Sequence, residues 1–228
     1  MRIAVVPARG GSKRITRKNI KPFCGKPILQ WAIETAIRSG LFDRVIVSTD
    51  EHEIAETALA AGAEVPFFRP AKLADDFTAT IPVICHAIDE LCLDKSTEVC
   101  CIYPTAVFTT VTLLKDAVDL LDASQADFVM PVTVFSCPLG RALALDNKYR
   151  LTLLTPQNEN LRTQDCQTFY HDVGQFYLGK VSAWLDDKPF YAKDVRGLVL
   201  PRYLSHDIDT PEDWFFAELI FNAIRNQN

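Results

Sequence analysis

The chain has 228 residues, 48% of them hydrophobic, and a formal net charge of −5. That length and apolar content suit one full α/β core, and the acidic balance excludes the broad cationic footprint that nucleic acid requires. No apolar run approaches the roughly 20 residues that span a bilayer, and the strand pattern that starts after Arg2 leaves no cleavable signal pattern, so a cytoplasmic protein is expected.

The apolar run Ile3-Ala4-Val5-Val6 predicts a strand, and it delivers the chain's most unusual segment. Between Arg9 and Lys26 stand seven Lys or Arg residues, the adjacent pair Gly10-Gly11, and no carboxylate. Two glycines at a strand end can take positive φ and offer backbone N–H groups as a concave nest. Arg9, Lys13, Arg14 and Lys18 then supply full charges for a polyphosphate. A nucleic-acid patch is the competing reading of a basic stretch, and it lacks both the glycine hinge and the overall charge. Neither a Walker A spacing nor a three-glycine dinucleotide fingerprint follows Gly10.

Pro27 opens a predicted helix that Gly40 ends, with apolar positions Ile28, Leu29, Ala32, Ile33, Ala36 and Ile37 at helical spacing. Arg44-Val45-Ile46-Val47-Ser48 reads as the second strand. Asp50 with Glu53 reads as a capping box for a helix closed by Gly62. A short strand over 65–68, a helix over 81–93, a fully buried strand over 99–103, a helix over 111–121 and a strand over 128–132 follow. Near-continuous apolar strands alternating with amphipathic helices predict a three-layer α/β protein with a mainly parallel, Rossmann-like sheet, all within one domain over 1–228.

Residues 133–172 break the pattern. Leu143, Leu145, Leu151 and Leu153 flank Asp146-Asn147-Lys148, which predicts a hairpin. Its leucines need cover, from a second subunit in a homodimer or from the edge of the sheet. Strand character resumes over 175–178 and 198–200, and Thr210-Pro211 starts a last helix to about residue 225. The seven cysteines are odd in number, mostly in apolar stretches and never spaced Cys-x-x-Cys, so disulfides and structural zinc are not expected.

The second chemical signal is Asp207-Ile208-Asp209. Residues i and i+2 of an extended segment face one side, so Asp207 and Asp209 can present two carboxylates to one Mg2+ whose remaining positions go to water and phosphate. The alternative reading makes Asp209 a cap for the last helix.

Together these segments resemble a known family. Pro7-Ala8-Arg9-Gly10-Gly11-Ser12-Lys13-Arg14, Lys18-Asn19, Gly25-Lys26-Pro27, Ser48-Thr49-Asp50, Arg69-Pro70 and Asp207-Ile208-Asp209-Thr210-Pro211-Glu212-Asp213 are similar to the acylneuraminate cytidylyltransferases, over nearly the whole chain. Arg162-Thr163-Gln164-Asp165 and Tyr170-His171-Asp172-Val173-Gly174-Gln175-Phe176-Tyr177 resemble the branch that acts on pseudaminic acid. Sialic-acid enzymes usually carry an Asn-Gly segment there, and Gln-Pro-Thr-Ser-Pro where this chain has Tyr103-Pro104-Thr105-Ala106-Val107.

The resemblance implies that CTP and a nonulosonic acid give a CMP-sugar and pyrophosphate. It implies catalytic roles for Arg9, Lys13, Asp207 and Asp209. Ala8, Gly10, Gly11, Ser12, Asn19, Arg69 and Thr80 would join Arg9 and Lys13 around the nucleotide. On the sugar side a carboxylate and acylamino groups call for cations, amides and an apolar wall, which Tyr103, Arg162, Gln164, Tyr170, His171, Gln175 and Phe176 supply. Asp207, a hydroxide on an Asp209-bound metal and His171 all remain eligible to take the proton of the attacking hydroxyl.

Overall fold

The computed structural model describes residues 1–226. Strand β1 (Arg2–Pro7) leads into the basic loop, which closes through a two-stranded hairpin of β2 (Pro22–Phe23) and β3 (Lys26–Pro27). The turn residues Cys24 and Gly25 both have positive φ, the twist that a two-residue hairpin loop favours. Helix α1 (Ile28–Ser39) follows and stops at Gly40, where φ is 63°. Then come β4 (Arg44–Ser48), α2 (His52–Ala60), α3 (Thr80–Glu90), β5 (Glu98–Ile102), α4 (Val111–Ser124) and β6 (Phe128–Val134).

Next is the predicted hairpin, β7 (Leu143–Leu145) and β8 (Leu151–Leu153), followed by β9 (Tyr170–Asp172) and β10 (Phe176–Lys180). Short α5 (Val181–Trp184), β11 (Val195–Val199) and α6 (Pro211–Arg225) complete the chain. The main sheet has seven strands in the order β11-β6-β10-β5-β1-β4, with β9 added beside β6. Strands β4, β1 and β5 are mutually parallel, β10 runs antiparallel to both β5 and β6, and β11 is parallel to β6. Five strands therefore share one direction, and β10 and β9 are reversed.

Alternate residues of β1 explain the layering. Ala4 and Val6 face α1, α2 and α4, whereas Ile3 and Val5 face α3 and α5. A third cluster joins Ile15 of the basic loop, Phe23, Ile28, Phe108 and Ile208 to Trp214 and Phe221 of α6. Phe23 meets Trp214 and Phe221 edge-on at 5.4 Å each, the arrangement favoured for aromatic rings.

Two local expectations need correction. Asp50 does not cap α2; its N-cap is Glu51, with no side-chain bond, and Glu53 pairs with Arg17 instead. Residues 65–68 form no strand, because only the isolated bridges Ile46–Glu64 and Thr49–Phe68 touch the sheet edge. The excursion over 133–172 is closed at its neck by the ladder of Val132, Thr133 and Val134 with Asp172, His171 and Tyr170.

Reversed strand β10 is where the sheet is tightest. A Cβ on Gly179 would lie 2.5 Å from the buried Phe128 ring and 2.6 Å from the Asp127 carbonyl oxygen. Phe128 is wedged against Trp184 at 4.9 Å and the backbone oxygen cannot swing aside. Gly179→Ala is expected to cost about 2–3 kcal/mol through overpacking, read as a lowered denaturant midpoint.

Candidate active site

The parallel strands β1, β4 and β5 end at one edge of the sheet, the place where open α/β sheets leave a crevice. A cleft of about 460 Å³ opens there, lined by Arg9, Ser12, Lys13, Arg14, Lys18 and Asn19 of the basic loop and by Arg69, Thr80, Tyr103 and Asp209 from elsewhere. The buried Asn19 holds the loop in shape by donating from Nδ2 to the Arg9 carbonyl at 2.9 Å.

The glycines serve this loop differently from the expected nest. Neither Gly10 nor Gly11 has positive φ; the left-handed residue is Arg17, at 54°. The Gly10 N–H donates to Asp50 Oδ1 at 3.1 Å, and a Cβ at Gly10 would strike the Glu51 carboxylate, so the requirement at Gly10 is close approach. Gly11 is exposed, Ala8 is buried in the core with its N–H bonded to Ser48, and none of the three lines the cleft. The cations that line it are the side chains of Arg9, Lys13, Arg14, Lys18 and Arg69.

Those side chains already have an anion. Asp76 pairs with Arg9 at 2.9 Å and with Lys13 at 2.5 Å, and Arg9 also donates to the Asp75 carbonyl. Asp75 shapes this acidic turn by accepting from the Thr78 hydroxyl and from the N–H groups of Phe77 and Thr78, bonds that hold its carboxyl below the usual range. Sequence reasoning missed both aspartates, whose only signal is an Asp-Asp pair six residues after Arg69.

Arg69 is only 6% exposed, and its Nε and Nη2 have no hydrogen-bond partner. Its backbone N–H is fixed to the Thr49 carbonyl at 2.7 Å and Asp50 lies 3.8 Å from Nη2, so β4 sets its position. A buried guanidinium with open donors at a cleft wall is a receptor for carbonyl or ring-nitrogen acceptors, because leaving it unpaired is costly. Thr80 Oγ1 and the Tyr103 hydroxyl lie 2.5 Å apart on the same wall. Burial pushes the Tyr103 phenol well up, which keeps its proton in place.

Across the cleft, Lys18 ties the loop to the carboxyl-terminal segment. Its Nζ donates to the Ile208 carbonyl at 2.8 Å and pairs with Asp209 Oδ1 at 3.2 Å, and Arg14 reaches Asp209 Oδ2 at 2.9 Å. Asp209 is not the helix cap. Thr210 and Asp213 form a reciprocal capping box for α6, which leaves the Asp209 side chain free to face the cleft.

A second cavity of about 380 Å³ adjoins the first, shares Lys18, Tyr103, Thr105 and Asp209 with it, and adds Asp172, Gly174, Tyr177 and Asp207. Asp207 keeps much of its surface open to this cavity. Even so, desolvation among its neighbours, and then the Asp209 charge, pushes its carboxyl above the usual range. Among the described residues no three potential metal ligands gather at one point, although Asp172, Asp207 and Asp209 all line this cavity. Beyond it lies an apolar recess of about 250 Å³ lined by Ile81, Tyr103, Tyr177, Trp184, Phe190 and Tyr191.

Of the residues expected on the sugar side, only Tyr103 lines these cavities. Phe176 is fully buried in the cluster that packs the sheet against α1 and α4, because that face of β10 is core. Gln175 is buried too: its Oε1 accepts from the Thr109 hydroxyl at 2.9 Å and its Nε2 donates to the Leu204 carbonyl, so its amide is used up within the fold. Arg162 pairs with Asp165 at 2.6 Å and, with Gln164, stands exposed in the excursion, outside the cleft. Tyr170 and His171 lie on β9, with the His171 ring 4.8 Å from Phe135 and its Nδ1 2.9 Å from the Asp172 carbonyl. His171 therefore does not line these cavities.

The profile described as "Cytidylyltransferase" matches residues 3–207, from β1 to Asp207, and takes in the lining of the cleft except Asp209. The chain belongs to the cytidylyltransferase family. A pseudaminic acid cytidylyltransferase of Campylobacter jejuni is 39% identical over 223 residues, covering 97% of this chain and 96% of its own. A CMP-N,N'-diacetyllegionaminic acid synthase of Legionella pneumophila is 31% identical, covering 95% of this chain and 94% of its own. Among solved structures, CMP:2-keto-3-deoxy-manno-octonic acid synthetase complexed with CTP superposes with a TM-score of 0.70 at 14% identity. It covers 100% of this chain and 99% of its own, a likeness of fold.

Asp207 gives this cytidylyltransferase a pH signature. Its folded-state pKa is raised, so the protonated form costs the fold nothing and the ionised form is penalised. Without added metal, Asp207→Asn should melt higher than wild type at neutral pH. The gain should shrink as pH falls into the ordinary carboxylate range, as read from thermal melts across pH.

Proposed function

We propose that this chain transfers CMP from CTP to the anomeric hydroxyl of pseudaminic acid and releases pyrophosphate. The observation that carries the reading is one continuous cleft with cations at one end, a buried guanidinium on its wall whose Nε and Nη2 make no hydrogen bond, and two aspartates at the join with a second cavity. Similarity to the Campylobacter protein over the whole chain supports the choice of sugar. In the transfer the hydroxyl oxygen forms a bond to the α-phosphorus, the bond from that phosphorus to the bridging oxygen breaks, and the hydroxyl proton passes to a base. Negative charge grows on the α-phosphoryl oxygens and on the departing pyrophosphate, where Arg9 and Lys13 are placed to meet it. Arg69 and the Thr80–Tyr103 pair hold the base, and Asn19 keeps the loop rigid under the phosphates.

The aspartate pair fits a magnesium ion. Desolvation first, and then the charge of Asp209, raises Asp207, and a divalent cation would neutralise that like charge; Mg2+ commonly takes only one or two carboxylates beside phosphate and water. When bound, the ion would supply charge neutralisation at the phosphate oxygens. Asp207 and Asp209 would hold it, with Arg14 and Lys18 yielding part of their grip on Asp209.

The exposed leucines of the hairpin point to a homodimer. Leu143, Leu145 and Leu151 are 56–61% exposed and pad no edge of the main sheet, so a second copy of this chain is the cover we assign them. The alternative sugars, legionaminic and sialic acid, use the same cleft. A nucleic-acid-binding module is disfavoured because the chain's net charge is −5 and its loop cations line a cleft.

Pyrophosphate release from CTP and Mg2+ should be fastest with pseudaminic acid in a panel that also holds legionaminic and sialic acids. Folded protein that turns over none of them would reject the reading. In the same assay Asp209→Asn should lower kcat by on the order of 100-fold or more, the scale of losing an electrostatic element of the transition state, with little change in melting temperature because Thr210 caps the helix.

A further inference from the structure

The second cavity contains a carboxylate that the transfer itself does not use. Asp172 ends β9, and both of its oxygens are held from behind: Oδ1 accepts from the Gly174 N–H at 2.8 Å and Oδ2 from the Tyr177 hydroxyl. Gly174 makes this possible by taking φ 61° immediately behind the Asp207 carboxyl. Burial, first of all, pushes the Tyr177 phenol far up, so Tyr177 stays a donor at any working pH. A carboxylate offers about four acceptor positions, and these two bonds leave the others toward the cavity.

Three facts decide what fills them. Among the described residues no cation pairs with Asp172, and the one cation lining the cavity, Lys18, is engaged by Asp209 and the Ile208 carbonyl. Asp172 shares the wall with Asp207 and Asp209, so like charge turns an anionic group away from this end. A fixed carboxylate that is half-buried, without a cation and with acceptor positions open, selects a neutral N–H or O–H donor.

We infer that Asp172 is a specificity-determining residue for the sugar acid, accepting a hydrogen bond from one acylamino N–H or hydroxyl of the acceptor, and that Tyr177 is the positioning residue that aims it. The inference rests on the transferase reading given above. Because the carboxylate is pinned by the N–H of Gly174, in the turn after β9, and by the phenol of Tyr177 on β10, a donor at the wrong stereocentre would miss it. The acceptor that reacts is thereby chosen by geometry as well as by charge.

Steady-state kinetics of wild type, Asp172→Asn and Tyr177→Phe test this with pseudaminic acid and with analogues in which one hydroxyl or acylamino group at a time is replaced by hydrogen. Asn can keep the bond from the Gly174 N–H, so the turn should survive, and equal melting temperatures would confirm it. Asp172→Asn should raise KM for the acceptor by about 10- to 100-fold while KM for CTP stays put, and Tyr177→Phe should do the same more weakly. The Asn penalty should vanish for the one analogue that lacks the contacted donor, and which analogue that is tells an N–H from an O–H. A penalty that persists with every analogue, or that falls equally on CTP and acceptor, would make Asp172 a structural turn residue and overturn the inference. Absence of any turnover by wild type would count against the transferase reading instead.

Discussion

The site depends on the meeting of Lys18 with Ile208 and Asp209, residues separated by 190 and 191 positions in the chain. The amino-terminal loop supplies cations and the carboxyl-terminal segment supplies carboxylates, and neither is a site alone. The bond from Lys18 to the Ile208 carbonyl contributes about 1.5–3 kcal/mol as a charge-assisted bond, and the partly exposed Asp209 pair adds little, so together they fix the loop but do not create the approach. The approach comes from the third apolar cluster, where Ile15 of the loop and Ile208 of the segment are both buried beside Phe23 and Trp214. Apolar burial brings the two ends together, and charge then sets their register.

Within the cleft, charge is balanced before any ligand arrives. Arg9 and Lys13 hold Asp76, while Arg14 and Lys18 hold Asp209. An acidic protein can carry so basic a loop because the loop's counter-ions are its own aspartates. On the proposed function a triphosphate entering the cleft would exchange with the acidic turn over residues 75–76, and a cation on the aspartate pair would exchange with Arg14 and Lys18. Arg69 stands apart, since nothing in the fold satisfies its Nε and Nη2.

Much of this was legible in the sequence. Hydrophobic period marked the buried strands, Gly40 and Gly62 marked helix ends, and the basic loop and Asp207-Ile208-Asp209 marked the two halves of one cleft. What escaped was set by tertiary context. Gly10 and Gly11 suggested a nest, but the Gly10 N–H goes to Asp50, which was read as a helix cap. Phe176, one residue before Tyr177 on β10, points to the opposite face of the sheet, into the cluster under α1 and α4, and Gln175, just before the strand, is held by Thr109 and the Leu204 carbonyl. Strand alternation fixes that two neighbours differ in direction, and only the packed sheet decides which of them sees the cavity. Asp172 and Asp76 were passed over for the same reason: a lone aspartate has no signature until its partners are in place.

A structure of the protein bound to CTP tests the account most directly. The account predicts the triphosphate against Arg9 and Lys13 with Asp76 displaced from both, and the cytosine within hydrogen-bond reach of Arg69. Triphosphate bound elsewhere, with the Arg9–Asp76 and Lys13–Asp76 pairs intact and Arg69 still unpartnered, would contradict it.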